Sequence, residues 1–446
     1  MHRADTIVAV ATAGGRAGIG VVRLSGPTVR QIAPQICSRA LSPRHATLVS
    51  FLAEDRHALD RGIAILFEAP NSYTGEDILE LHGHGGTAVL RLLMQRCVDL
   101  GARPAEPGEF TKRAFLNGKL DLVQAESVAD LIDASSAAAV RSAMQSLSGA
   151  FSDQVQMLAA ELLEIRARIE AVLDFPEEEI DVVANANLME RVDRMRIRLR
   201  KLLRDAAQGS LLREGTRAVL VGRPNVGKSS LMNRLAREEV AIVTDIPGTT
   251  RDALRYELVI EGVPVHVVDT AGLRTGGDQV ERLGIERTIA EVAKADIAIL
   301  VADGAVDDGE SSFAELTVVP SKSKILRVIN KIDLSGQEPR LVTQDGAASV
   351  WVSAKTGEGM ELLRQAILEL AGWQSQEEAP FMARERHLLA LQEADKSLHA
   401  AQRASTQLEL FAEELRLAHM ALGRITGETT ADDLLGEIFS RFCIGK

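Results

Sequence analysis

The residues Gly222-Arg223-Pro224-Asn225-Val226-Gly227-Lys228-Ser229 fit the pattern G-x-x-x-x-G-K-[ST], with an apolar run before them and a helical pattern after. Glycines there let backbone N–H groups approach phosphate oxygens, and the N-terminus of the following helix adds positive potential. In such a loop Lys228 reaches the β and γ phosphates and Ser229 ligates Mg²⁺, while Asn225, Val226, Gly227 and Ser230 complete the nucleotide contacts. Four further elements accompany it. Asp269-Thr270-Ala271-Gly272 follows an apolar strand, as a second metal-site loop does. Thr249 and Thr250 lie between the two, where a switch threonine senses the γ phosphate and Mg²⁺. Asn330-Lys331-Ile332-Asp333 and Ser353-Ala354-Lys355 each follow another apolar strand. Asp333 sets the base. Its carboxylate accepts from the N1–H and 2-amino group of guanine, whereas adenine would leave the buried charge unmatched. The sequence therefore points to GTP rather than ATP.

The residue after the D-x-x-G glycine is Leu273, where many small GTPases carry a Gln that orients the attacking water. Glu281, in Gln279-Val280-Glu281-Arg282, is a candidate for that task, although a solvated helix charge is the simpler reading of it. Asn225 offers either a ligand to a monovalent cation, whose charge would replace an arginine finger, or a stabilised turn.

Outside this region two charges interrupt β-type segments, Arg23 in Gly20–Leu24 and Glu80 in Ile78–His82. A charge on a part-buried strand is costly unless paired. Either the two pair or face solvent, or they form a cationic and an anionic handle in a ligand pocket. His82-Gly83-His84-Gly85-Gly86 contains H-x-H but brings no third metal ligand at a recognisable spacing, and its glycines point to close backbone packing. The chain ends Phe442-Cys443-Ile444-Gly445-Lys446, which fits a prenylation signal poorly. Cys443 is a candidate nucleophile or redox thiol, with a partly buried structural cysteine as the simpler reading.

These groups need positioning. Thr6–Val10, Gly20–Leu24 and Gly62–Phe67 read as strands and residues near 88–100 as a helix. From about 120 to 203, and again from 384 onwards, Ala, Leu, Glu and Arg recur at helical spacing, for example Leu158, Leu162, Ile165, Ile169 and Val172. Residues 215–372 alternate strands with helices, and Ala218–Val221, Val265–Val268, Ile297–Val301, Ile325–Ile329 and Val350–Val352 read as buried parallel strands. The expected architecture is a multidomain α/β plus α chain. An N-terminal α+β domain spans 1–117, a discontinuous helical domain spans 118–213 and 374–446, and a Ras-like P-loop domain at 214–373 is inserted between its halves. Ala431–Phe442 reads as a final amphipathic helix. With 446 residues, 46% of them hydrophobic, there is material for several cores. A net charge of −12 disfavours a generally basic nucleic-acid coat. Arg191 to Arg204 is nonetheless strongly basic, which reads as a solvated helix face, with a nucleic-acid or partner contact as the alternative. The three scattered cysteines fit a reducing cytoplasm, and no apolar run is long enough for a membrane span.

The whole pattern resembles the MnmE (TrmE) family of tRNA-modification GTPases. Beyond the G motifs, the resemblance rests on Pro70-Asn71-Ser72-Tyr73-Thr74-Gly75-Glu76-Asp77, His82–Gly86, Gly108-Glu109-Phe110-Thr111-Lys112-Arg113 through Lys119, Asp245-Ile246-Pro247-Gly248-Thr249-Thr250-Arg251-Asp252, and Phe442–Lys446. It implies a folate-binding, dimerising N-terminal domain, and a flavoprotein partner, MnmG, in a heterotetramer or larger complex. That complex would build aminomethyl or carboxymethylaminomethyl groups on C5 of the wobble uridine of tRNA from a 5-formyl- or methylene-tetrahydrofolate carbon. By the same resemblance Arg23, Glu80, Lys119 and Lys446 match folate contacts. Asn225, Thr244, Ile246 and Thr249 match a K⁺ site, Ser229 and Thr250 match Mg²⁺ ligands, and Glu281 matches the water-orienting glutamate. A regulatory GTPase of ribosome assembly would explain the G motifs but not Arg23, Glu80, Lys119 and the tail. A folate-dependent aminomethyl transferase would explain the N-terminal residues but not GTP.

Overall fold

Short apolar runs separated by Gly- and Pro-containing turns form the N-terminal sheet. The computed structural model describes residues 5–174, 183–238, 255–269, 294–306, 323–344, 347–374, 381–428 and 432–445. Within these, Ile7–Val10 (β1) and Ala17–Ser25 (β2) pair antiparallel, followed by Val29–Ile36 (α1), Thr47–Leu52 (β3), Ala58–Phe67 (β4) and Ile78–Gly85 (β5). Thr87–Asp99 (α2), Arg103–Pro104 (β6) and Glu109–Leu116 (α3) complete this part. The sheet order is β3-β4-β5-β2-β1-β6, antiparallel except where β6 lies parallel to β1. Helices α1 and α2 cover one face over a core that includes Val8, Val22, Leu24, Ile32, Phe51, Leu79, Leu81 and Leu93. On the other face Ile7 and Ala9 pack with Phe110 of α3.

Helices follow: Leu122–Asp133 (α4), Ala137–Leu147 (α5), Ala150–Asp174 (α6) and Val183–Glu214 (α7). Next come Thr216–Gly222 (β7), Lys228–Glu238 (α8), Arg255–Ile260 (β8), Val263–Asp269 (β9), Ile297–Asp303 (β10), Lys324–Asn330 (β11), Ile332–Ser335 (α9), Arg340–Gln344 (β12), Ala347–Trp351 (β13) and Met360–Ala371 (α10). The order is β12-β13-β11-β10-β7-β9-β8. The five inner strands are mutually parallel and both edge strands antiparallel to their neighbours. Burial on both faces explains the continuous apolar runs of β7 and β10. The chain closes with Glu385–Arg403 (α11), Leu408–Thr426 (α12) and Asp432–Ser440 (α13). The α6 stripe of Leu158, Leu162, Ile165 and Ile169 is buried, and α6 packs along α12, whose Phe411, Leu415 and Leu422 are buried in turn.

By compactness the chain forms two units. One is Met1–Ile132, Ser146–Met195 and Glu393–Lys446; the other is Asp133–Gln145 and Arg196–Gln392, which holds the seven-stranded sheet. Among the described residues no helix is long and apolar enough to cross a membrane.

Candidate functional site

Strand β7 ends at Gly222, and the chain turns through Asn225 at φ +66° and Gly227 at φ +97° into α8. Lys228 is buried, and its Nζ donates to the carbonyls of Gly222 at 2.7 Å and Arg223 at 2.9 Å. Ser229 and Ser230 lie exposed on the first turn of the helix, where backbone N–H groups have no intrahelical partner. Parallel pairing of β7, β10 and β11 brings the carboxyl ends of these strands together, the edge at which open α/β sheets bind ligands.

One buried amide ties three motifs together. Asn330 Nδ2 donates to the carbonyl of Val226 at 2.9 Å, and its Oδ1 accepts from the backbone N–H of Ala354 at 3.0 Å. Lys331, at φ +69°, donates through Nζ to the carbonyl of Asn225 at 2.7 Å and pairs with Asp303 at 2.6 Å. Ser353 Oγ donates to Asp333 Oδ1 at 2.7 Å, which fixes that carboxylate beside a cavity of about 500 Å³. Gly227, Asn330, Lys331, Asp333, Ala354 and Lys355 line it. The motif residues were legible in the sequence. Asp303 was not, although its place at the carboxyl end of a buried strand is a usable signal. Asp269 ends β9, with its side chain outside the described residues. Thr244, Asp245, Ile246, Pro247, Gly248, Thr249, Thr250, Thr270, Ala271, Gly272, Leu273 and Glu281 also lie outside the described residues, as does Lys446.

Gly227 has two reasons to be glycine. Its φ is left-handed, and a Cβ there would fall 2.3 Å from Asn330 Nδ2. Gly227→Ala should therefore weaken GDP binding by about fivefold or more, since strain of this kind costs roughly 1–3 kcal/mol. A fluorescent-GDP titration, with circular dichroism to confirm the fold, measures this. Affinity within twofold of the parent chain would mean that Asn330 withdraws without consequence.

In the N-terminal sheet Arg23 and Glu80 are cross-strand partners on β2 and β5. Arg23 Nε donates to Glu80 Oε1 at 2.9 Å, so the two charges compensate each other. Glu80 Oε2 lies 3.0 Å from His82 Nε2. The Arg23 guanidinium stands over the rings of Tyr73 and Phe110, 5.7 and 5.9 Å from their centroids. Sequence reasoning singled out the charges but not these aromatics, which sit in the quoted P-N-S-Y-T-G-E-D and G-E-F-T-K-R stretches. Lys119 Nζ donates to the carbonyl of Pro70 at 3.0 Å, and its stem packs beside Gly75 in the same loop as Tyr73. Glycine-rich packing accounts for the H-G-H-G-G stretch: a Cβ on Gly83 would meet Asp60 at 2.5 Å, and Asp60 accepts from the N–H and Nδ1 of His84, each at 2.7 Å.

A part-buried ion cluster around the buried Arg113 holds this loop in place. Arg113 donates to the carbonyl and carboxylate of Asp5, to both oxygens of Glu76 and to Glu109. Glu76 also accepts from Ser25, whose hydroxyl meets Thr74 at 2.7 Å. Tyr73 Oη meets Thr111 Oγ1 at 2.8 Å, so the ring beneath Arg23 is fixed from both ends.

The C-terminal tail returns to the same sheet. Gly108 donates to the carbonyl of Cys443, and Gly445, at φ +99°, lies so close to β1 that a Cβ would fall 2.3 Å from the Val10 carbonyl oxygen. Cys443 itself is exposed. That corrects the reading of a partly buried structural thiol: Phe439 of α13 and Phe442 just beyond its end are buried, and the chain then turns its next side chain outward. In the basic stretch, Arg191 of α7 pairs with Glu164 at 2.9 Å and lies 3.8 Å from Glu161.

Residues 6–119 match the family described as GTP-binding protein TrmE N-terminus, and residues 122–443 match that described as MnmE helical domain. The chain is 56% identical over 443 residues to a tRNA modification GTPase MnmE of Azoarcus sp. (strain BH72), covering 99% of this chain and 98% of the relative. It is 54% identical over 447 residues to that of Nitrosomonas europaea, covering 99% of both chains.

Proposed function

Because this chain belongs to the MnmE family of tRNA modification GTPases, we propose that its GTP hydrolysis drives the addition of an aminomethyl or carboxymethylaminomethyl group to C5 of the wobble uridine of tRNA. The observation that carries this reading is the presence, in one chain, of a guanine-type pocket and of a second site on a separate sheet. There Arg23 and Glu80 pair beside the rings of Phe110 and of Tyr73, the latter in the loop held by Lys119. A carboxylate matches the amidine edge of a pteridine, an arginine or lysine matches a carboxylate tail, and aromatic rings match a flat heterocycle. Arg23, Glu80 and Lys119, with Lys446 at the end of the returning tail, are therefore assigned to 5-formyl- or methylene-tetrahydrofolate, which supplies the one-carbon unit. Cys443, exposed on that tail, is the candidate nucleophile there.

At the nucleotide, Lys228 neutralises phosphate charge, and Ser229 and Thr250 hold Mg²⁺. Asn225, Thr244, Ile246 and Thr249 hold K⁺, and Glu281 orients water in place of the glutamine that Leu273 lacks. The left-handed, exposed Asn225 supports this reading of the P-loop. The chain acts in the cytoplasm as a homodimer with the flavoprotein MnmG. The exposed cross-strand pair Leu48 and Ile63, on the sheet face that carries Glu80 and His82, supports a subunit contact.

The test is mass spectrometry of tRNA nucleosides from a strain lacking the protein, complemented with the parent chain or Lys228→Ala. Restoration of the C5-modified uridine by the parent chain alone is expected. An unchanged nucleoside profile in the deletion strain would replace this reading by a ribosome-assembly switch. Folate binding, and GTP turnover faster in K⁺ than in Na⁺, test the two ligand assignments separately.

A further inference from the structure

Helix α8 leaves the P-loop and presents Ser230, Asn233, Arg234 and Arg237 to the cavity, an i, i+3, i+4, i+7 stripe opposite the buried Leu231, Met232 and Leu235. Arg234 packs on Gly357, the apex of the turn that carries Ser353, Ala354 and Lys355. A Cβ on Gly357 would meet Nη2 at 2.4 Å, Cζ at 3.1 Å and Nε at 3.2 Å, so three atoms of the guanidinium lie against the space that glycine leaves open. Gly357 also has φ +92°, and its N–H donates to the Ser353 carbonyl at 2.8 Å, while the Ser353 N–H donates to Glu358 at 2.9 Å. The turn is thus a closed unit with an arginine seated on it. The same unit delivers the Ala354 N–H to Asn330 and the Ser353 hydroxyl to Asp333.

We propose that Arg234 is a positioning residue for base selectivity: seated on Gly357, it locks the Ser353–Lys355 turn to the helix that begins at the phosphate-binding lysine. The edge of the base that carries a carbonyl at position 6 then meets a turn, lined by Ala354 and Lys355, that is held in place from the phosphate side. A guanidinium suits the task because it is flat, permanently charged and able to pack face-on. The inference rests on the guanine reading of this cavity and deepens it.

The experiment uses the full-length chain and compares Arg234→Ala, Arg234→Lys, Gly357→Ala and the Arg234→Ala/Gly357→Ala pair. Binding of GDP is measured against the diphosphate of 6-thioguanosine, which keeps N1–H and the 2-amino group but replaces the 6-oxygen by the weaker acceptor sulfur. Arg234→Ala should weaken GDP about tenfold and narrow the preference for the 6-carbonyl by a similar factor, within the range of residue couplings of this kind. In turnover, KM should rise by more than kcat falls. Arg234→Lys should resemble Arg234→Ala, because an ammonium has no flat face to seat. Gly357→Ala should cost less in the Arg234→Ala background than alone, since the atoms it strikes are gone. Unchanged selectivity in Arg234→Ala, full rescue by lysine, or strictly additive losses would each overturn the proposal. Asp333→Asn is the control for the premise. Guanine preference that survives it would place base recognition outside this cavity and sink the premise, whereas its loss beside an unaffected Arg234→Ala would sink only the positioning role.

Discussion

Asp333→Asn should turn this chain from a guanine into a xanthine nucleotide hydrolase. The carboxylate borders the cavity with one oxygen held by Ser353, and an asparagine carbonyl accepts the same hydrogen bond, so the fold is expected to survive. What changes is the other group. An amide nitrogen donates where guanine also donates, and the mismatch leaves polar groups unpaired on both sides. Xanthine carries a carbonyl at that position and restores the match. Sites built on such pairs reject the wrong partner by factors on the order of 10⁴, so GTP affinity should fall by about that order while XTP gains. Competition of unlabelled nucleotides against a fluorescent GDP or XDP measures both. A variant that still prefers GDP over XDP would place base recognition elsewhere.

Arg113→Ala should unfold the N-terminal sheet more readily than any surface change. The side chain is about nine-tenths buried and pairs with Asp5, Glu76 and Glu109, while Arg103 pairs with Asp5 and Glu109 as well. Removing one partner of a fully buried pair costs roughly 3–5 kcal/mol; with Asp5 and Glu76 part-exposed and Arg103 retained, the lower end applies, a fall in melting temperature on the order of 10 °C for a unit of this size. Trp351 and Trp373, the two tryptophans of the chain, both belong to the unit with the seven-stranded sheet. Tryptophan fluorescence therefore follows that unit, and far-ultraviolet circular dichroism follows both. The expected result is an earlier dichroic transition. A transition within a degree of the parent chain would show that the carboxylates relax into solvent at no cost. Acid reports on the same cluster. Burial pushes the Asp5 and Glu109 carboxyls up, but hydrogen bonds and charge from Arg103 and Arg113 outweigh it and hold both below the usual carboxylate range. Their stabilisation is therefore complete above that range and is lost as pH falls through the lowered values. In Arg113→Ala this acid-dependent loss should shrink.

What the sequence made legible follows from what each element buries. Val219–Val221 and Ile297–Val301 stand out because strands buried on both faces read as unbroken apolar runs. The edge strand β12 does not, because Arg340, Thr343 and Gln344 face solvent and carry no such signal. Arg23 and Glu80 drew notice as charges inside apolar strands. That they meet depends on the β2–β5 register across 57 positions, which no local pattern encodes. Asn330 was legible as a motif, but its bond to Val226 exists only because β10 lies between β7 and β11. The exposure of Cys443 was hidden because the apolar spacing continues past Ser440, where α13 ends, to its neighbour Phe442.

The packing of Leu122 and Ala125 of α4 against Leu435, Ile438, Phe439 and Phe442 has a consequence during synthesis. The ribosome makes the first half of this core roughly 300 residues before the second, an interval on the order of half a minute at about 5–20 residues per second. For that time Leu122 and Phe115 present apolar surface that no later part of their own core yet covers. The nascent chain carries an aggregation hazard that ends only when residues 435–442 leave the exit tunnel. A protein shortened by a premature stop near position 430 would keep that hazard permanently.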